Sequence, residues 1–96
     1  MSFTKRTIGS PSDPRVVAAA DVDGDGLIDV VVGCASKLYW YKQNSDGSFT
    51  ETLIGSSEEV LAVTVADIDS DSDRDILVST SGDNDEVALY VNDGSN

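Results

Sequence analysis

Two stretches of this chain concentrate carboxylates at a spacing suited to gripping a hard cation. Asp21-Val22-Asp23-Gly24-Asp25-Gly26-Leu27-Ile28-Asp29 places acids at positions one, three, five and nine of a loop. Alternate spacing lets a curled backbone turn these side chains toward one point, and glycine at position six permits the sharp bend that a curl needs. Calcium accepts about six to eight oxygen ligands in flexible geometry. Asp21, Asp23, Asp25 and Asp29 would supply carboxylates, and Leu27 its backbone carbonyl. The second stretch, Asp67-Ile68-Asp69-Ser70-Asp71-Ser72-Asp73-Arg74-Asp75, keeps every matching acid but carries serine where the first has glycine. Its expected ligands are Asp67, Asp69, Asp71 and Asp75, with Asp73 ligating through its carbonyl. Ser72 at a left-handed position would cost on the order of 1 kcal/mol and weaken this site, while Arg74 offsets some of the charge. The expectation is one Ca2+ per loop and two per chain.

Asp and Gly also build ordinary solvated turns. Crowded carboxylates repel one another, however, so a compact loop of this composition is expected to need a cation. The first loop looks like the opening nine residues of an EF-hand, but position twelve is Val32, not a bidentate glutamate, and strands flank the loop. Asp29 must therefore close the coordination.

The elements that would position these loops repeat. Phe3-Thr4 returns as Phe49-Thr50, Ile8-Gly9-Ser10 as Ile54-Gly55-Ser56, and Ala20-Asp21 as Ala66-Asp67, each at an offset of 46 residues. Asp23, Asp25, Asp29 and Val32 map on Asp69, Asp71, Asp75 and Val78 at the same offset. The register slips at Ser81-Gly82-Asp83-Asn84-Asp85 and partly recovers when Asp46-Gly47-Ser48 returns as Asp93-Gly94-Ser95. One repeat spans about residues 3–48 and the next about 49–96, within a single two-repeat segment, 1–96.

Short β-type runs bounded by turn signals predict strands over 16–20, 29–33, 37–42 and 49–54, then 61–66, 75–79 and 86–92. Residues 3–8 read as a further strand, the counterpart of 49–54, and Asp46-Gly47 supplies the positive φ of a tight hairpin. No segment carries a sustained helical period. Val30-Val31-Val32 and Ile76-Leu77-Val78 are unbroken apolar runs, so both faces of these strands should be covered. An all-β chain with four antiparallel strands per repeat of this length, buried on both faces, points to the blades of a β-propeller.

Two blades cannot close a circle alone. Residues 3–8 are expected to complete the second blade of a neighbouring copy, in a head-to-tail homo-oligomer of three chains with six blades or four chains with eight. The alternative is that the chain is a segment of a longer propeller.

Composition narrows the partners. There are 18 Asp and Glu against 6 Lys and Arg, no His, and a formal net charge of −12. Nucleic acid and anionic membrane suit such a surface poorly. No stretch has the length and apolarity of a membrane span, and the opening residues do not read as a signal peptide. Cys34, the single cysteine, can form neither an intrachain disulfide nor a Cys-based zinc site and reads as a small buried residue at a strand end.

Ala20-Asp21-Val22-Asp23-Gly24-Asp25-Gly26, Asp29-Val30-Val31-Val32-Gly33, Leu38-Tyr39-Trp40-Tyr41 and residues 44–49 together resemble the FG-GAP and VCBS type repeats, the calcium-bearing blades of integrin α-chain heads and many secreted propellers. The resemblance implies that Asp21, Asp23, Asp25 and Asp29, with Asp67, Asp69, Asp71 and Asp75, bind calcium. It implies an extracellular setting and protein or carbohydrate ligands. Departures are Gly33-Cys34-Ala35 in place of Gly-Ala-Pro and the two loop serines.

Without His, a nucleophile triad or a phosphate loop, and with its acids committed to metal, the chain reads as no enzyme. A self-assembling scaffold or protein-interaction module is the first reading and a multivalent lectin the second. Tyr39, Trp40, Tyr41 and Tyr90 could form a sugar platform, but strand alternation puts Trp40 on the face opposite Tyr39 and Tyr41, where packing between blades is expected.

Overall fold

The computed structural model describes residues 1–56, 59–70, 73–82 and 86–92. Seven strands form: β1 (Pro14–Ala20), β2 (Asp29–Cys34), β3 (Lys37–Gln43), β4 (Phe49–Ser56), β5 (Glu59–Ala66), β6 (Asp75–Ser81) and β7 (Glu86–Tyr90). They build two antiparallel meanders, a four-stranded sheet β1-β2-β3-β4 and a three-stranded sheet β5-β6-β7. Every connection within a sheet is a hairpin, as the alternating strand and turn signals require. Between β3 and β4 the turn closes through Asn44 N–H to Ser48 O at 2.7 Å and Gly47 N–H to Asn44 O at 2.9 Å. Gly47 there takes φ 88°.

The sequence repeat is a structural repeat. Asp29 pairs with Ala20 and Val31 with Ala18 in the first sheet, while Asp75 pairs with Ala66 and Leu77 with Thr64 in the second. Even the irregularities match: the β1–β2 ladder shifts between Pro14 and Val16, and the β5–β6 ladder between Val60 and Ala62, the same offset on.

The sheets stack face to face around Val22, Val31, Leu38, Val60, Ile76 and Val78, with Val16, Trp40, Ile54, Val63, Val65 and Tyr90 packed against them. One face of the first sheet, carrying Val31, Leu38 and Trp40, meets the face of the second carrying Val63, Val65, Ile76, Val78 and Tyr90. Gly33 leaves the space that the Val60 side chain fills, since a Cβ there would lie 2.3 Å from Val60 Cγ1. Cys34 is buried at the end of β2, as its sequence position suggests.

Residues 3–8 depart from expectation. They carry no strand in the structure, because a strand needs a paired neighbour and none of the described strands pairs with them. They instead cross the outer face of the first sheet, where Arg6 donates to Gly47 O at 2.9 Å and Gly9 lies under the Tyr41 ring. Six strands also run slightly longer than the spacing suggests, β1 from Pro14, β2 to Cys34, β3 to Gln43, β4 to Ser56, β5 from Glu59 and β6 to Ser81, while β7 stops at Tyr90. The turns at 83–85 and 93–95 lie outside the described residues.

Candidate metal centre

Each acidic loop joins the first strand of a sheet to the second, and the strands fix where it begins and ends. Ala20 pairs with Asp29 and Ala66 with Asp75, so positions zero and nine of each loop face one another across a ladder. The intervening residues must curl, and Gly24 at φ 75° and Gly26 at φ 88° take the left-handed turns. In the second loop Ser70, the counterpart of Gly24, adopts φ 63°. The strained serine in view is thus Ser70. Ser72, where sequence reasoning placed the cost, lies outside the described residues.

Asp21, Asp23 and Asp29 each bring a carboxylate oxygen within 4.8 Å of the other two, and Asp67, Asp69 and Asp75 do the same. Two oxygens bound to one calcium ion lie at most about 5 Å apart, twice the usual ligand distance. The donor set is all oxygen, as a hard cation prefers, so three of the expected side-chain ligands in each loop fit the ion. Asp25 stands beside this group, not in it: its Oδ2 accepts from Lys42 Nζ at 2.7 Å and its Oδ1 from the Leu27 N–H at 2.9 Å. Lys42 also reaches Asp23 Oδ2 at 2.5 Å. This ammonium bridges two of the loop carboxylates and offsets part of their charge. Leu27 is half-buried within the same curl, and Asp73 lines a small cavity with Arg74, Asp21, Val22 and Gly24, between the two loops. Asp71 lies outside the described residues.

The carboxylates also have partners in the protein, which the repulsion argument from sequence did not anticipate. Asp21 Oδ1 accepts from the N–H groups of Gly24 and Asp25, at 2.9 and 3.2 Å, and its Oδ2 from Gly26 at 2.8 Å. Backbone dipoles converging on a carboxylate stabilise its charge just as a cation does. The Lys42 ammonium, with help from the Leu27 N–H, holds the Asp25 carboxyl down at about 2. Reciprocally, Asp23 and then Asp25 keep the Lys42 ammonium protonated well above its ordinary range.

Position nine does a different job. Asp29 is fully buried, and its two oxygens accept from Val22 N–H at 3.1 Å and Gln43 N–H at 2.9 Å. Asp75 repeats the arrangement with Ile68 N–H at 3.1 Å and Asn92 N–H at 2.9 Å. The Asn92 bond, first among its backbone donors, holds the Asp75 carboxyl below the usual carboxylate range. Each of these acids therefore pins the start of its own loop to the chain at the end of the third strand, Gln43, or just past it, Asn92. Asn92 further donates its side-chain amide to Val22 O at 3.0 Å, tying the second sheet to the first loop.

The aromatic residues are used in packing. Trp40 lies against the core between the sheets, and Tyr41, only 2% exposed, donates its hydroxyl to Glu51 Oε2 at 2.8 Å.

Residues 21–78, which begin at the first acid of the first loop and run through the whole second loop, match the family described as FG-GAP-like repeat. The chain belongs to the FG-GAP-like repeat family. Neither curated proteins nor solved structures give a match to it. An FG-GAP-like repeat laid out as two antiparallel sheets without helix is consistent with successive propeller blades, β1 to β4 forming one and β5 to β7 the described part of the next. What sequence reasoning missed in this repeat is the support around the acids. Lys42 gave only a weak signal, a lone cation closing an aromatic strand. Gln43 and Asn92 were findable as side-chain amides ending the third strand of both repeats.

Proposed function

We propose that this FG-GAP-like chain is a calcium-binding β-propeller module, one Ca2+ in each acidic loop, that acts by binding proteins, copies of itself among them, and not by catalysis. The observation that carries the reading is the duplicated cluster: Asp21, Asp23 and Asp29 in one blade and Asp67, Asp69 and Asp75 in the next converge at the same place in the repeat. Asp25, the Leu27 carbonyl and their counterparts Asp71 and Asp73 complete the two sets, with Asp25 released from Lys42 as the ion enters. Calcium here is structural. It ties the first strand of each blade to the second and so stiffens the rim from which partners are bound.

Isothermal titration of the chelator-treated chain with calcium should show two sites, and the melting temperature should fall on chelation, since metal bound only by the folded state stabilises it. Absence of heat together with an unchanged melting temperature would remove the calcium reading. Assembly of three or four chains in a head-to-tail ring is the form of self-association proposed, and light scattering reads its mass directly.

A further inference from the structure

The two blades of one chain bury a pair of complementary faces against each other, and the same pair is left uncovered at the chain's two outer sides. In the first blade Leu38 is 0% exposed and Val31 is equally buried, because the second blade covers them. Their counterparts in the second blade are Val87, 73% exposed, and Leu77, half-buried. Trp40 packs on the core, and its counterpart Leu89 is 41% exposed. The opposite faces show the converse. Val78 and Ile76 are buried between the blades, whereas their counterparts Val32 and Val30 are only half-buried and Val17 is 68% exposed. Val17, Val30 and Val32 instead line a cavity of about 470 Å³ beneath residues 5–9.

Residues 5–9 are already placed for a neighbour. Gly9 approaches the Tyr41 ring as Gly55 approaches the Tyr90 ring, and Gly55 belongs to β4, the strand that leads out of the first blade into the second. The segment before β1 therefore holds, against the first blade, the place that β4 holds against the second. It lacks only a three-stranded sheet whose third strand would pair with it. Among the described residues, β7 has β6 as its one sheet neighbour, where β3 has both β2 and β4. Charge agrees. Lys5 and Arg6 precede the first of the chain's acids, Asp13, and they would approach an acidic neighbour.

We infer that the second blade of another copy enters beneath residues 3–9, its Leu77, Val87 and Leu89 face covering Val17, Val30 and Val32, with residues 3–8 pairing antiparallel to its β7. This rests on the self-association proposed above and adds its surfaces and register. In the first blade Lys42 pairs with Thr50, Tyr41 with Glu51 and Trp40 with Thr52. Carried over by the repeat, Val91 meets Thr4, Tyr90 meets Lys5 and Leu89 meets Arg6 between copies. Such a contact is head-to-tail, each copy giving one face and receiving the other.

The test uses two forms of the chain, both with Cys34→Ser, one carrying Thr4→Cys and the other Val91→Cys, mixed in calcium under mild oxidation. Thr4 and Val91 are exposed, so neither change disturbs the core. The expected product is a disulfide joining one copy of each form, and Val87→Asp in both should abolish it and leave folded single chains by light scattering. Linkage only between like cysteines would overturn the inference. So would a single-chain mass without mixed disulfide while calcium still binds, an outcome that leaves the metal reading standing.

Discussion

Replacing Asp29 separates the two roles that its loop combines. Its carboxylate is buried and accepts two backbone N–H groups, from Val22 and Gln43. Asp29→Ala strands both donors, at about 1–3 kcal/mol each for a buried unsatisfied group. Gln43 is only half-buried, so water relieves part of that cost and the expected loss is about 2–4 kcal/mol. That is a large share of the ~5–15 kcal/mol typical of a domain. Asp29→Asn retains one acceptor oxygen and should lose about half as much. Asp25→Asn is the contrast: it keeps Oδ1 for the Leu27 N–H and gives up the ion pair with Lys42, which contributes little at the solvated rim of the loop.

Urea unfolding followed by the fluorescence of Trp40, the single tryptophan, reads all three variants in excess chelator and again in calcium. Saturating calcium at 100 times its dissociation constant adds about 2.7 kcal/mol per site. In chelator the Asp29 variants should already be destabilised while Asp25→Asn is close to the parent. In calcium, Asp25→Asn should fall short of the parent's gain. If Asp29→Ala matched the parent in chelator and differed only in calcium, position nine would be a metal ligand alone and the fastening role assigned to its two hydrogen bonds would be wrong.

Three further outcomes follow from the same geometry. Ser70→Gly relieves a left-handed serine worth about 1–2 kcal/mol, less about 0.5–1 kcal/mol for glycine's greater freedom when unfolded. A net gain of about 0.5–1 kcal/mol in chelator is expected by urea unfolding, and a loss would contradict the assigned conformation. Lys42→Met removes the ammonium that shares Asp23 and Asp25, so calcium affinity at the first loop should rise several-fold by titration on an Asp67→Asn, Asp69→Asn background; unchanged affinity would show that Lys42 does not compete. Burial, and then the bond to Glu51, raises the Tyr41 hydroxyl above its ordinary value near 10. The neutral phenol is thus favoured by the fold, its contribution is present below pH 10, and it is lost as pH rises beyond that. Tyr41→Phe should flatten this alkaline decline in thermal melts.

Much of this arrangement was written in the order of residues. Strands, hairpins and the repeat follow from apolar runs punctuated by Asp-Gly turns, because side-chain alternation and turn chemistry are local properties. Convergence of Asp21, Asp23 and Asp29 was legible for a similar reason, since the Ala20–Asp29 pair closes the loop on itself. Partners brought from afar were not. Lys42 reaches Asp23 from 19 residues along the chain, and Asn92 reaches Val22 from 70. Such contacts depend on how β3 and β7 lie across the loops, which spacing within a loop does not encode.

That difference also explains why charge crowding alone was too simple a basis for metal dependence. An acidic loop whose Asp21 rests on three backbone N–H groups and whose Asp23 and Asp25 share a lysine has its repulsion partly met by the protein itself. The second loop has Val91 where the first has Lys42, so no equivalent ammonium comes from that position. At the first loop calcium would therefore exchange one cation for another, so the Lys42 ammonium lowers the stabilisation that the ion can add there.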